Sequence, residues 1–239
     1  MKTLKQAYTV FLENLTNNPA IQLVDDWSQT SLGEPSGRFI SRKKESLERE
    51  AGIILSNTHM DYFSLVGVHL AWRSIDSEGI DTGAFGGFRL NGLTDAFLFY
   101  SDFWKGAFSL APDVEVPESL KHFEQIGWFE QQIWDDAVRG CFLKQSEGGP
   151  PPIVLFRYDQ YFPLTLTFEE YLLRMFETYA IKGWQYFYID IPKNVVRSEI
   201  ILNEMQTACE LLPKLFPNQD WTYHLNKYQE IQLKWKKAK

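Results

Sequence analysis

Apolar positions along the chain change period several times, and each change marks an expected element. Tyr8, Phe11, Leu12 and Leu15 recur at helical spacing, which predicts a first helix stopped by Asn17, Asn18 and Pro19. Residues 25–38, carrying Gly33, Pro35 and Gly37, read as loop. Ser41 is a suitable cap for a second helix with a charged face, Leu47 as its anchor and Gly52 as its stop. Ser56 or Asn57 then caps a short helix bearing Tyr62, Phe63 and Leu65. Residues 68–72 alternate and predict a strand; an acidic turn with Asp76, Glu78 and Asp81 leads to a second strand over 87–90.

Residues 97–104 are aromatic and fit helix or strand, and Pro112 and Pro117 mark a surface loop. Residues 123–129 and 140–143 read as strands of one antiparallel sheet, and the Gly148 to Pro152 run stiffly connects them to a strand over 153–158. The sharpest local signal is Thr167 with Glu170, a capping box that opens a helix. Behind it Phe168, Tyr171, Leu172, Met175, Phe176 and Tyr179 share one face, and Gly183 is the expected stop. Residues 184–190 resemble a strand, 195–212 a long helix ended near Pro213 and Pro217, and a last helix follows the cap Asp220, with Trp221, Leu225, Tyr228 and Trp235 aligned. The expected fold is α+β: a single antiparallel-rich curved sheet packed by helices, with a C-terminal helical extension. Its expected divisions are a helix-and-loop extension over 1–40, a core over 41–190 and helices over 191–239.

Composition changes that picture only by exclusion. Apolar residues make up 44% and aromatic residues 15% of the 239, too many for a disordered chain. Acidic residues number 31 against 24 basic, a formal charge of −7, which argues against direct binding to nucleic acid phosphates. The two cysteines, Cys141 and Cys209, lie in apolar stretches and fit packed, reduced thiols, hence a cytoplasmic location. The first fifteen residues lack the pattern of a signal peptide, and no stretch approaches the ~18 apolar residues of a membrane span.

Candidate chemistry is sparse. His59, His69, His122 and His224 are dispersed without metal-ligand spacing, so no metal or other cofactor is expected. His69 reads as exposed or satisfied by a neighbour, and His59 as a helix-start residue at the surface. No nucleophile elbow occurs, Cys141 has no activating context, and the glycines at 83, 86 and 87 read as turn residues. The pairs Asp25-Asp26 and Asp135-Asp136 read as solvated turns rather than acid-base machinery. No catalytic residue is therefore expected. Trp128, Trp134 and Trp184 adjoin polar residues able to rim a groove, and the first two with Asp76, Glu78, Asp81, Asp135 and Asp136 form the expected partner-binding set.

Two stretches carry a family resemblance. Residues 47–55, Leu-Glu-Arg-Glu-Ala-Gly-Ile-Ile-Leu, followed by the aromatic helix at 62–65, resemble an early helix and glycine-plus-apolar step of the SUKH superfamily; residues 153–158 with the Leu166 to Leu172 run resemble its closing strand and helix. Ser56 stands where that family usually has proline, and Gly67-Val68 where it has Asn-Gly. The resemblance implies an α+β sheet with a concave partner groove and, for bacterial members, neutralisation of a toxin by tight binding. The leading expectation is thus a non-enzymatic protein-binding module, an immunity protein occluding a toxin domain such as a nuclease. Its rivals are a regulatory scaffold of cell-envelope synthesis or another housekeeping process, and a hydrolase built on dispersed carboxylates.

Overall fold

The computed structural model describes residues 3–27, 37–98, 121, 125–135, 138–144, 148–157, 160–192 and 198–236. Seven strands form one open, wholly antiparallel sheet in sequence order: β1 (Ile21–Trp27), β2 (His69–Ile75), β3 (Asp81–Leu90), β4 (Ile126–Gln132), β5 (Val138–Leu143), β6 (Ile153–Arg157) and β7 (Gln160–Pro163). The described helices are α1 (Leu4–Thr16), α2 (Gly37–Ala51), α3 (Asn57–Tyr62), α4 (Leu93–Leu98), α5 (Phe168–Glu177), α6 (Ser198–Leu215) and α7 (Thr222–Lys236), with a 3₁₀ turn at Trp184–Tyr188. The α+β fold with a C-terminal helical region is as expected.

The helices cover one sheet face. Leu70, Phe88, Phe129, Phe142 and Leu155 from the strands pack in one cluster with Phe11 of α1, Tyr171 and Met175 of α5 and Met205 of α6. The opposite face carries a smaller cluster of Ile126, Cys141, Val154 and Phe156, flanked by Trp128 and Tyr161. The capping box forms as expected: the Glu170 amide donates to Thr167 Oγ1 at 3.2 Å, and Glu170 Oε2 accepts from the Thr167 amide at 2.8 Å.

Several segments differ from the sequence expectation for identifiable reasons. Residues 21–27, expected partly as loop, are the edge strand β1, whose alternation is broken by a bulge between Leu23 and Asp25. Helix α2 begins at Gly37, ahead of Ser41. Residues 184–188 are a 3₁₀ turn and not a strand: every side chain in the run is buried, so the continuous aromatic pattern reflects all-round burial. Helix α5 stops at Glu177 before Gly183, as Thr178 Oγ1 donates back to the Arg174 carbonyl at 2.7 Å and Tyr179 and Ala180 take positive φ. Helix α6 runs through Pro213 to Leu215, and the Phe216 amide still reaches the Leu212 carbonyl at 2.8 Å. Strand β7 was not foreseen. Of the aromatic run 97–104, Phe97 and Leu98 are helical; residues 99–104, His122, and Pro112 and Pro117 lie outside the described residues.

The expected extensions share the common core. Leu4, Tyr8, Phe11 and Leu15 from the N-terminal segment, and Ile201, Met205, Leu212, Trp221 and Trp235 from the C-terminal one, belong to the same apolar cluster as the strands.

Candidate functional site: an acidic hairpin tip and a buried carboxylate

Strands β2 and β3 meet in a tight turn that the sequence had singled out. Asp76 Oδ1 accepts from the Glu78 and Ile80 amides, both at 2.9 Å, and Asp81 Oδ1 accepts from the Gly83 amide at 2.7 Å. Gly79, at φ 79°, supplies the positive dihedral that closes the turn. These backbone bonds hold the Asp76 and Asp81 side chains in place while the tip stays exposed from Asp76 to Gly83. Ile80 stands on the same turn 58% exposed, an apolar side chain within four residues of Asp76, Glu78 and Asp81. Sequence reasoning found the three acids and missed Ile80, whose place between two turn glycines was the available signal. No Lys or Arg occurs between Arg73 and Arg89.

The remaining expected partner-binding residues lie elsewhere. Trp134 donates its indole N–H to the Gly86 carbonyl at 2.8 Å and packs on Phe85 at 5.2 Å. Gly86 is five residues along β3 from Asp81, roughly 17 Å at about 3.4 Å per residue. Trp128 sits on the smaller, opposite-face cluster with the Arg139 guanidinium 4.3 Å over its ring. Asp135 lies in the β4–β5 connection, its carbonyl accepting from Val138 at 3.0 Å, and Asp136 lies outside the described residues. The acidic turn, Trp134 and Trp128 are therefore three places and not one groove. Glycines 83, 86 and 87 lie within β3, and a Cβ on Gly86 would fall 2.3 Å from the Trp72 indole, so close packing requires glycine there.

The most perturbed carboxylate was not foreseen. Between Trp128 and Glu130 the β4–β5 register slips, which turns Phe129 into the aromatic core and Glu130 in beside it, with no exposed surface. Tyr171 donates its hydroxyl to Glu130 Oε2 at 2.8 Å, and the Gly140 amide donates to the same oxygen at 3.1 Å. Glu130 Oε1 and the Gln185 side-chain amide make no hydrogen bond of regular geometry, although Gln185 lies close enough to pull the carboxyl down. Burial pushes the Glu130 carboxyl up to about 7, against the pull of these donors and of Arg139. A Cβ on Gly140 would lie 2.5 Å from the Tyr171 hydroxyl, so glycine lets the phenol reach the carboxylate. A bulge in one strand leaves no trace in apolar periodicity, and the polar run Glu130-Gln131-Gln132 was the only sequence hint.

Glu204 is also raised by burial, with Lys182 Nζ 3.1 Å away pulling it down. It belongs with Arg157, Tyr186 and Asp135, while the charge acting on Glu130 is Arg139. The two buried carboxylates thus sit in separate networks, not on one reacting atom. His59, expected at the surface, is buried against Phe168 at 4.5 Å, because its Nδ1 turns inward to cap α3 at the Ser56 amide. Its ring is pushed down to about 4 by burial, as is that of buried His224, whose Nε2 meets the Tyr188 hydroxyl at 3.0 Å. Half-buried His69 faces Asp25 at 3.4 Å. Lys144, lowered by burial to about 8, donates to the Phe97 carbonyl at 2.5 Å. The rings of Phe168 and Phe129 stand in contact between His59 and Tyr171, so these displaced groups do not converge. No group of three His, Cys, Asp or Glu able to hold a metal occurs among the described residues.

Fold and site together define an open, seven-stranded antiparallel meander backed by helices, with an acidic hairpin projecting from it. No family model, curated protein or solved structure matches the chain.

Proposed function

We propose that this is a non-enzymatic, cytoplasmic protein-binding module of the toxin-immunity type, which uses the β2–β3 tip to engage and occlude a basic toxin domain such as a nuclease. The observation that carries the reading is the tip itself. Three carboxylates share with an exposed isoleucine a turn braced by hydrogen bonds to its own backbone, so an apolar anchor and a negative field are presented together at small ordering cost. A concentrated negative charge accelerates encounter with a positive partner and excludes negative ones. The SUKH-like motifs at 47–55 and 166–172 support the same class, and two buried free thiols suit a reducing compartment. Among the described residues no helix is long and apolar enough to cross a membrane.

The test is protection of cells from the toxin domain encoded beside this protein, together with association rates of the two purified proteins over a salt series. The expected result is protection, with an association rate that falls about tenfold when Asp76, Glu78 and Asp81 are all made neutral and that loses most of its salt dependence. Failure to bind or protect against any adjacently encoded toxin domain overturns the reading. A second reading, a regulatory scaffold of cell-envelope synthesis or another housekeeping process, draws on exposed Tyr223, Leu225 and Leu233 of α7. Co-purification with resident enzymes, lost when these three are replaced by polar residues, would favour it.

A further inference from the structure

Helix α7 turns one stripe inward and leaves the other uncovered. His224, Ile231 and Trp235, at helical spacing, are buried against the rest of the chain. On the opposite side Thr222, Leu225, Asn226, Gln229, Leu233 and Lys236 are all exposed. Leu225 and Leu233 are 38% and 57% exposed, and Gln229 stands midway between them in the sequence. At about 100° per residue the two leucines flank Gln229 by about 40° on either side, so all three share one face. The charges of the helix lie on its flanks, where Lys227 pairs with Glu230 at 3.2 Å and Lys234 with Asp190 at 2.6 Å. Tyr223, also exposed, is already engaged within the chain: its hydroxyl donates to the Phe187 carbonyl at 3.1 Å and its ring stacks on Tyr188 at 5.5 Å. The stripe from Thr222 to Leu233 is therefore an uncharged strip with two leucines, the composition of an interface centre more than of a solvated helix face.

The order of residues along the stripe says what fits it. An antiparallel second copy of α7, related by a two-fold axis through Gln229, sets each Leu225 against the other copy's Leu233, Asn226 against Gln232, and Gln229 against its own counterpart. Apolar meets apolar and amide meets amide, and the two Gln229 side chains can each donate and accept across the axis. At the ends Thr222 faces Lys236, which comes beside the exposed Asp220, the carboxylate that accepts from the Thr222 amide at 2.9 Å. The negative end of each helix thus meets the positive end of the other, and Lys236 gains an acid. A parallel pairing would instead set Lys236 on Lys236 and like helix ends together. With 15 residues α7 is roughly 22 Å long, so this seam lies at the small end of specific interfaces and suits a weak, reversible dimer.

We propose that the outer face of α7 is an isologous dimer interface, occupied by the α7 of a second copy of this chain. The proposal does not rest on the reading of the hairpin tip. The experiment is sedimentation equilibrium of the purified full chain from micromolar to millimolar concentration, alongside oxidative crosslinking of Gln229→Cys. The native protein is expected to pass reversibly from monomer to dimer. Leu233→Lys, which places a charge at both ends of the seam, is expected to weaken association about tenfold or more. Because the axis passes through Gln229, its cysteine variant should form an intermolecular disulfide roughly tenfold faster than Glu13→Cys, a control on the exposed surface of α1. The native Cys141 and Cys209 are buried and do not compete. A native protein that stays monomeric at millimolar concentration, as it would if a resident enzyme were the occupant of this face, overturns the proposal. So does a dimer unaffected by Leu233→Lys, or one in which Gln229→Cys crosslinks no faster than Glu13→Cys; the native measurement decides even where a variant fails to fold.

Discussion

Two carboxylate sites on neighbouring parts of one sheet are treated in opposite ways. At the β2–β3 tip, Asp76 and Asp81 accept backbone N–H groups while remaining exposed, so their charge stays in solvent and the bonds shape a turn. At the β4–β5 bulge, Glu130 accepts a ladder N–H and a phenol with no exposed surface, so the same chemistry is taken out of water and its charged form is disfavoured. Each carboxylate replaces a missing backbone acceptor. The difference teaches that solvent access, more than hydrogen-bond count, decides whether an acid acts as a surface signal or as a cost to packing.

The largest effect should come from emptying the bulge. Phe129 touches Phe142 at 4.6 Å, Phe168 at 4.9 Å and Tyr171 at 5.1 Å, so Phe129→Ala is expected to destabilise the fold by roughly 3–5 kcal/mol in urea denaturation. A loss below 1 kcal/mol would mean that the bulge does not anchor the core.

Next in size is the pH dependence of Glu130. Its folded carboxyl is raised from 4.5 to about 7, so the folded state holds the proton more tightly than the unfolded chain. That contribution is fully present below about pH 4.5 and is lost as pH rises towards and through 7. At 1.36 kcal/mol per pKa unit, stability should fall by about 3 kcal/mol between pH 4.5 and 8 relative to Glu130→Gln, whose neutral amide keeps an oxygen for Tyr171 and Gly140. Parallel stability-against-pH curves for the two proteins would remove the contrast between bulge and tip. Gly140→Ala should cost about 1–3 kcal/mol, since the added methyl meets the Tyr171 ring and hydroxyl within 3 Å; an unchanged urea midpoint would show that the phenol does not need that space.

How far the sequence discloses these two sites follows from the same physics. Helix α5 is legible because its capping box and its apolar stripe are both local, lying within a dozen residues. The hairpin tip is legible because Asp, Gly and Asp at fixed offsets make a turn by bonding to their own neighbours. Glu130 is not, because the slip that buries it exists only between β4 and β5, and the glycine that admits Tyr171 is ten residues away. Strand β1 is hidden in a related way: its bulge at Leu23 and Asp25 spoils the alternation, and its pairing with β2 is set by residues some fifty positions on. The aromatic run at 184–188 misleads for the opposite reason, since burial on every side erases periodicity altogether.

The smallest effects belong to the tip, and they divide it. Asp76→Ala removes the acceptor of two amides and should cost about 1 kcal/mol in urea denaturation, because both amides gain water as a substitute. Glu78→Gln removes a charge on which no backbone hydrogen bond of the turn depends, and its effect on stability should stay within about 0.5 kcal/mol. If Glu78→Gln destabilised as much as Asp76→Ala, the tip would be a structural network like the bulge, and its charge could not be varied independently of the fold. If stability holds while association with a positively charged partner slows, Glu78 acts through its field alone. A carboxylate kept in water on a turn braced by other residues is free to be tuned for recognition, whereas the Glu130 oxygen that accepts from Tyr171 and Gly140 cannot be removed without changing what holds β4 against β5 and α5.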